Sequence, residues 1–154
     1  MRISVAADHN GVGLKSRLVG WLEARGHEVH DCGAHGTEEV DYPPLCAEVG
    51  RQVARGESER GIVIGGSGHG EVIACNKIPG VRAGLLQTPF SIEISRGNND
   101  SNVLVLGAKV VSPDEAEQIT EAWLTTRFKG GRHARRLAQI AALEWEALQG
   151  GRAH

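Results

Sequence analysis

The chain has 154 residues, 40% of them hydrophobic and 23% charged, which is the make-up of one ordinary globular domain long enough to bury a core. A formal net charge of -2 gives no electrostatic draw toward nucleic acid or a membrane surface, and no apolar run approaches a membrane span. The N-terminus runs straight into strand-like sequence, so no signal peptide is expected. The 3 cysteines (Cys32, Cys46, Cys75) lack metal-ligand spacing and are expected as reduced thiols of a cytoplasmic protein.

Residues 2–7 form a short apolar run, predicting a buried parallel strand. Asp8-His9-Asn10-Gly11 breaks it. A helix follows, with Val12, Leu14, Leu18, Trp21 and Leu22 on one side and Gly26 at its end. His27–Cys32 reads as a second strand, and a loop runs to Pro44. A second helix covers Leu45 to Arg55. Gly61–Ile64 is a third strand, opening into Gly65-Gly66-Ser67-Gly68-His69-Gly70 and then a short helix from Glu71. Val81–Leu86 is a fourth strand, Pro89–Arg96 a helix, and Val103–Leu106 a fifth strand. Ser112-Pro113-Asp114-Glu115 combines a cap, a first-position proline and first-turn acids, starting a helix that runs to about Phe128. After Gly130-Gly131 a last helix covers His133 to Leu148.

Strand and helix alternate five times, which predicts an α/β fold: a five-stranded parallel sheet covered on both faces. No linker or repeat divides the chain, so residues 1–154 are expected to form a single domain. Its C-terminal helical arm, about residues 131–149, either packs on a partner subunit or is a plain surface helix. Ligands bind such sheets outside the carboxyl ends of the strands, which directs attention to the loops at Asp8, Gly65, Leu86 and Gly107.

The four glycines between Gly65 and Glu71 bring backbone amides close to any ligand, at a helix start. Such a loop can hold a phosphate or a developing oxyanion, or serve as a tight turn alone. It lacks the Lys-Ser/Thr ending of a P-loop. Glu71 either complements the helix dipole or, beside an oxyanion site, removes a proton next to a carbonyl. Arg132 and Arg136, four residues apart, share a helix face and make either an anion clamp, with His133 between them, or a solvated basic surface. Asp8 and His9 follow the first strand at the ligand-binding edge. Asn98, Asn99, Asp100 and Asn102 fit turn chemistry by default. Cys75 fits the core better than a nucleophile.

Taken together, these stretches resemble the type B ribose-5-phosphate isomerases and their sugar-phosphate isomerase relatives. The resemblance covers about residues 2–146 and is carried by AADHNG at 6–11, DYP at 41–43, GGSGHGE at 65–71, NKIPGVRA at 76–83, NND at 98–100, NVLVLGAKVV at 102–111 and GGRHARR at 130–136. It implies a Rossmann-like three-layer sandwich, a homodimer or tetramer with active sites shared between subunits, and neither metal nor cofactor. One branch of the family uses a cysteine base just before the glycine loop, where this chain has Gly65. Another places a glutamate after the loop, and Glu71 matches it. Ser67, Gly68 and Gly70 fall where the family stabilises the enediolate. His9, Arg132 and Arg136 fall where it grips the phosphate. Asp8 and Tyr42 match pocket-lining positions, and His133 one near the sugar hydroxyls; Asn99 and Lys109 join them as substrate-binding positions.

This chain departs from the family's pattern at two positions. Asn98 stands where family members acting on ribose 5-phosphate usually have a ring-opening histidine, and an amide cannot exchange a proton as imidazole does. Lys109 stands where arginine is frequent and loses the fork. The expected activity is aldose–ketose isomerisation of ribose 5-phosphate and ribulose 5-phosphate through a cis-enediolate. The alternative is a tetrose 4-phosphate or hexose 6-phosphate, because a tetrose 4-phosphate cannot close a furanose. A non-catalytic sugar-phosphate-binding paralogue is opposed by Glu71 and the intact loop. A nucleotide-binding regulator lacks any adenine or ribose reader.

Overall fold

In the computed structural model, which describes residues 1–151, five parallel strands form one sheet. The strands are β1 (Arg2–Ala7), β2 (Glu28–Asp31), β3 (Arg60–Gly65), β4 (Ala83–Leu85) and β5 (Val103–Gly107), in the order β2-β1-β3-β5-β4. The helices are α1 (Val12–Ala24), α2 (Tyr42–Ala54), α3 (His69–Cys75), α4 (Pro89–Gly97), α5 (Pro113–Thr125) and α6 (Arg132–Gly150).

The three central strands bury both faces, and their side chains divide by the two-residue period of a strand. Ile3, Val5, Ala7, Ile62, Ile64, Leu104 and Leu106 face one layer, where they meet Leu14, Leu18 and Leu22 of α1, Ile92 of α4 and Ile119 and Trp123 of α5. Ala6, Val63, Val103 and Val105 face the other layer, against Cys46, Val49 and Val53 of α2 and Cys75 of α3. The second layer uses smaller residues because α2 comes close: Gly61 lies so near Val49 that a Cβ there would be 2.5 Å from its Cγ1. The expected three-layer α/β fold is what the structure has, with Cys75 in the core as anticipated.

Several boundaries differ from the sequence expectation. Helix α2 begins at Tyr42, not Leu45, because Pro43 and Pro44 occupy its first turn, where a missing N–H costs nothing. Helix α3 starts at His69, capped by Gly68 at φ +86°, so Glu71 lies within its first turn. Strand β4 is only Ala83–Leu85, since Val81 turns back to donate to the Ile78 carbonyl at 3.1 Å and the Arg82 amide donates to the Asn102 side chain at 2.8 Å. Helix α5 stops at Thr125 because Thr126 is already extended.

Helix α6 buries none of its residues in this chain. It exposes Ile140, Leu143, Trp145 and Leu148 and touches the body where the Gly80 amide donates to Glu144 at 3.1 Å. Among the described residues no helix is long and apolar enough to cross a membrane.

Candidate active site

Parallel strands deliver their following loops to one edge of the sheet, and the loops after β1, β3 and β5 meet there. The glycines make the meeting possible. Gly11 packs on Ile64, where a Cβ would lie 2.7 Å from the carbonyl oxygen. Gly107 packs on the backbone of Ser67, where a Cβ would lie 2.6 Å from its carbonyl oxygen. Two further hydrogen bonds tie the β5 loop to the glycine loop: the Ala108 amide donates to Gly65 O at 2.8 Å and the Lys109 amide to Gly66 O at 2.9 Å. The loop is thus held by its carbonyls. The amides of Ser67, Gly68 and Gly70 donate to no protein acceptor among the described residues. They remain available to an anion at the start of α3.

Glu71 is buried in that first turn, only 4% exposed. Its carboxylate lies over Gly65 so closely that a Cβ at 65 would overlap it. Burial pushes the Glu71 carboxyl above the usual carboxylate range. Asp8 adds to the shift, while its own amide and His69 oppose it. Tyr42, at the start of α2, lays its hydroxyl against Gly70 and so closes the next side of the site.

Asp8 is buried at the end of β1, and its Oδ1 accepts the Asn10 amide at 2.9 Å. His9 Nδ1 accepts the Val40 amide at 3.3 Å, and the Asn10 side-chain amide lies 3.4 Å from its Nε2, so both ring nitrogens are in contact with this edge of the site. A cleft of about 640 Å³ beside these groups is lined by Asp8, His9, Val40, Asp41 and Tyr42, among others, and is roomy enough for a small phosphorylated sugar. The floor is stiffened by buried Lys15, which donates to Asp31 at 2.7 Å and to Ala34 O at 2.5 Å. The thiols play no visible part. Burial pushes Cys32 up to about 11, and the neighbouring Cys75 together with burial pushes Cys46 up as well.

One chain therefore gathers Asp8, His9, Tyr42, Ser67, Gly68, Gly70, Glu71 and Lys109. Asn10 joins them. It was not singled out in the sequence although it stands inside the 6–11 motif; its amide nitrogen would be 3.3 Å from a Cβ at Gly66.

The remaining candidates lie elsewhere. Asn98 caps the end of α4 and Asn99 follows it, both before β5 begins. The Lys129 amide donates to Gly97 O at 2.9 Å, which places the start of α6, with Arg132, His133 and Arg136, beside them. This second group is at the opposite edge of the sheet, separated from Glu71 by the length of β5, roughly 15 Å. The Asn98 Oδ1 is buried without a partner. Slight desolvation and the charges of Arg132, Arg136 and Lys129 hold His133 below the ordinary histidine range.

Comparisons with known proteins show the family and the fold. The family described as Ribose/Galactose Isomerase matches residues 3–140. Ribose-5-phosphate isomerase B of Escherichia coli (strain K12) is 43% identical over 143 residues, covering 93% of this chain and 96% of the relative. Ribose-5-phosphate isomerase B of Clostridium thermocellum superimposes with a TM-score of 0.94 at 44% identity, covering 96% of this chain and 99% of that one. The Mycoplasma genitalium ribose-5-phosphate isomerase B, solved with bound ribulose-5-phosphate, gives a TM-score of 0.90 at 33% identity, covering 94% of this chain and 97% of that one.

Proposed function

We propose, for a chain that belongs to the Ribose/Galactose Isomerase family, an aldose–ketose isomerase acting on ribose 5-phosphate and ribulose 5-phosphate. The observation that carries the reading is the Glu71 carboxylate: buried, raised in pKa, and beside a row of unpaired amides. Isomerisation moves a proton between adjacent carbons while negative charge grows on the carbonyl oxygen. Glu71 takes the proton from the carbon next to the carbonyl, and the electron pair moves onto the oxygen. The amides of the 67–70 loop, with Ser67 Oγ, hold that charge as a cis-enediolate, and each donor lowers the barrier by roughly 3 kcal/mol. A proton then passes from the hydroxyl oxygen of the enediolate to the former carbonyl oxygen, the new carbonyl forms, and Glu71 returns its proton to the former carbonyl carbon on the same face.

The phosphate falls to His9, Arg132 and Arg136. Within one chain Arg132 and Arg136 are remote from Glu71, which supports a homodimer or larger assembly in which a second copy supplies them together with Asn98, Asn99 and His133. The bare apolar side of α6 supports the same assembly. The single-domain organisation and a cytoplasmic location with reduced thiols complete the reading.

A second reading of the substrate is favoured by Asn98, whose amide cannot carry a ring-opening proton. A tetrose 4-phosphate, which closes no furanose, would not require one.

Solvent deuterium washed into ribulose 5-phosphate tests the chemistry. The wild type is expected to exchange, and Glu71→Gln to lose roughly a hundredfold to ten-thousandfold in exchange and turnover while still binding inorganic phosphate. Near-normal exchange in that variant rules Glu71 out as the base.

A further inference from the structure

The stretch Asn76-Lys77-Ile78-Pro79-Gly80-Val81-Arg82-Ala83 stands apart from the Glu71 group, yet its Asn76 and Arg82 side chains are both hydrogen-bonded. Asn76 caps α3: its amide nitrogen donates to Val72 O at 3.0 Å and Ala83 O at 3.1 Å, and its Oδ1 accepts the Ala83 amide at 2.9 Å. Asn102 grips the other end, donating to Gly80 O at 2.9 Å and accepting the Arg82 amide at 2.8 Å. Between these fixed points Arg82 reaches across. Its Nε donates to Asn99 O and Asp100 O, both at 3.1 Å, and its Nη2 donates to Asp100 O at 2.8 Å.

Asp100 needs that restraint. It is the non-glycine residue with positive φ among the described residues, at +46°, in the left-handed region that side chains disfavour. Buried Arg96 holds the same residue from the opposite side, donating to Asp100 Oδ1 at 2.9 Å and to Ser101 O at 2.6 Å. Two guanidiniums thus clamp a strained turn, and the residues leading into the turn are Asn98 and Asn99. Neither arginine lines the cleft beside Glu71; Arg96 is buried, and Arg82 is held by its bonds to Asn99 O and Asp100 O.

We propose that Arg82 is a positioning residue for the isomerisation: by holding the carbonyls of Asn99 and Asp100, it sets the direction in which the Asn98 and Asn99 side chains meet the substrate. This rests on the reading that segment 98–99 contributes to the site. A lysine at 82 keeps the charge but, as a point donor, lacks the planar fork that spans two successive carbonyls. Displacing a substrate-orienting segment by an ångström can cost up to about a hundredfold in rate.

The test is a double-mutant cycle on the full-length enzyme, with kcat and KM read for Arg82→Lys, Asn98→Ala/Asn99→Ala and the combination, alongside melting temperature and oligomeric mass. Arg82→Lys is expected to lose about tenfold or more in kcat/KM with unchanged mass and unchanged competitive inhibition by inorganic phosphate. The combined variant is expected to be no worse than the asparagine variant, since Arg82 acts only through that segment. Losses that multiply, or a normal Arg82→Lys, overturn the proposal while leaving the site reading intact. Normal turnover in the asparagine variant overturns the site reading itself. If the lysine variant does not fold, Arg82→Gln, whose amide nitrogen extends only as far as Arg82 Nε and so loses the Nη2 bond to Asp100 O, carries the same comparison.

Discussion

The Glu71 carboxylate occupies the space that a side chain on Gly65 would fill. Residues 65 and 71 are therefore alternatives in space: one may carry a reacting group there only if the other does not. The resemblance noted for this family, in which one branch has a cysteine at the position of Gly65, acquires a physical sense, because a thiol at 65 and a carboxylate at 71 reach the same point from different elements. Gly65→Ala is expected to cost about 1–3 kcal/mol of stability through overpacking and to cut turnover much more steeply, by pushing the carboxylate aside. Gly65→Cys combined with Glu71→Ala is expected to recover part of the turnover that Glu71→Ala loses. Steady-state rates with melting curves check both; full activity in Gly65→Ala would mean that the carboxylate's resting place is irrelevant to the reaction.

Burial raises the Glu71 pKa, and the sign of that shift makes two pH predictions. A base must be ionised, so kcat/KM is expected to fall on the acid side with a midpoint above the ordinary 4.5. For stability, a raised folded-state pKa means that the protonated acid favours folding. That contribution is complete below pH 4.5 and is lost as pH rises through the folded-state value. At neutral pH the charged carboxylate opposes folding. Glu71→Gln, neutral throughout, is expected to melt above the wild type at pH 8, with the gap closing toward pH 4. A variant that melts lower at pH 8 would contradict the assigned desolvation.

If the site is completed by a second copy, two inactive variants can repair each other. Glu71→Gln spoils one group of residues and Arg132→Ala/Arg136→Ala the other. In a randomly mixed dimer about half the assemblies are hybrids, each with one intact site, so about a quarter of wild-type activity is expected after unfolding and refolding the two together. No recovery, with hybrids verified by mass, would place both groups in a site formed by one chain and contradict the opposite-edge arrangement.

Much of the fold was legible because buried strands announce themselves: Ile62-Val63-Ile64 and Val103 to Leu106 are apolar on both faces, and the loop after Ile64 is glycine-rich where the backbone must approach a ligand. The Tyr42 start of α2 was not, since Pro43 and Pro44 read as a loop until their first-turn position is known. Asn98 and Asn99 precede β5, so alternation alone puts them on the edge opposite the loops that follow the strands; what the sequence did not show is that the start of α6 lies beside them, through the Lys129 amide on Gly97 O. The Arg82 half of the clamp on Asp100 left no local signal. Arg82 and Asp100 are 18 residues apart, and their contact depends on β4 lying beside β5.

Asn98 separates the two readings of the substrate. Ribose 5-phosphate is mostly a closed furanose, and its ring must open before C2 can lose a proton. Ribulose 5-phosphate has its O5 phosphorylated and stays open, so catalysis from the ketose side needs no ring-opening group. Asn98→His is therefore expected to speed turnover of ribose 5-phosphate and to leave the initial rate from ribulose 5-phosphate little changed, because only the first direction contains the added step. Running both directions beside erythrulose 4-phosphate decides between substrates. Fast wild-type turnover of ribose 5-phosphate, with no gain from histidine, means that ring opening is done by another group such as His69 or His133, or by solvent. Slow pentose turnover in both directions with fast tetrose turnover means that Asn98 marks a chain suited to an acyclic tetrose phosphate.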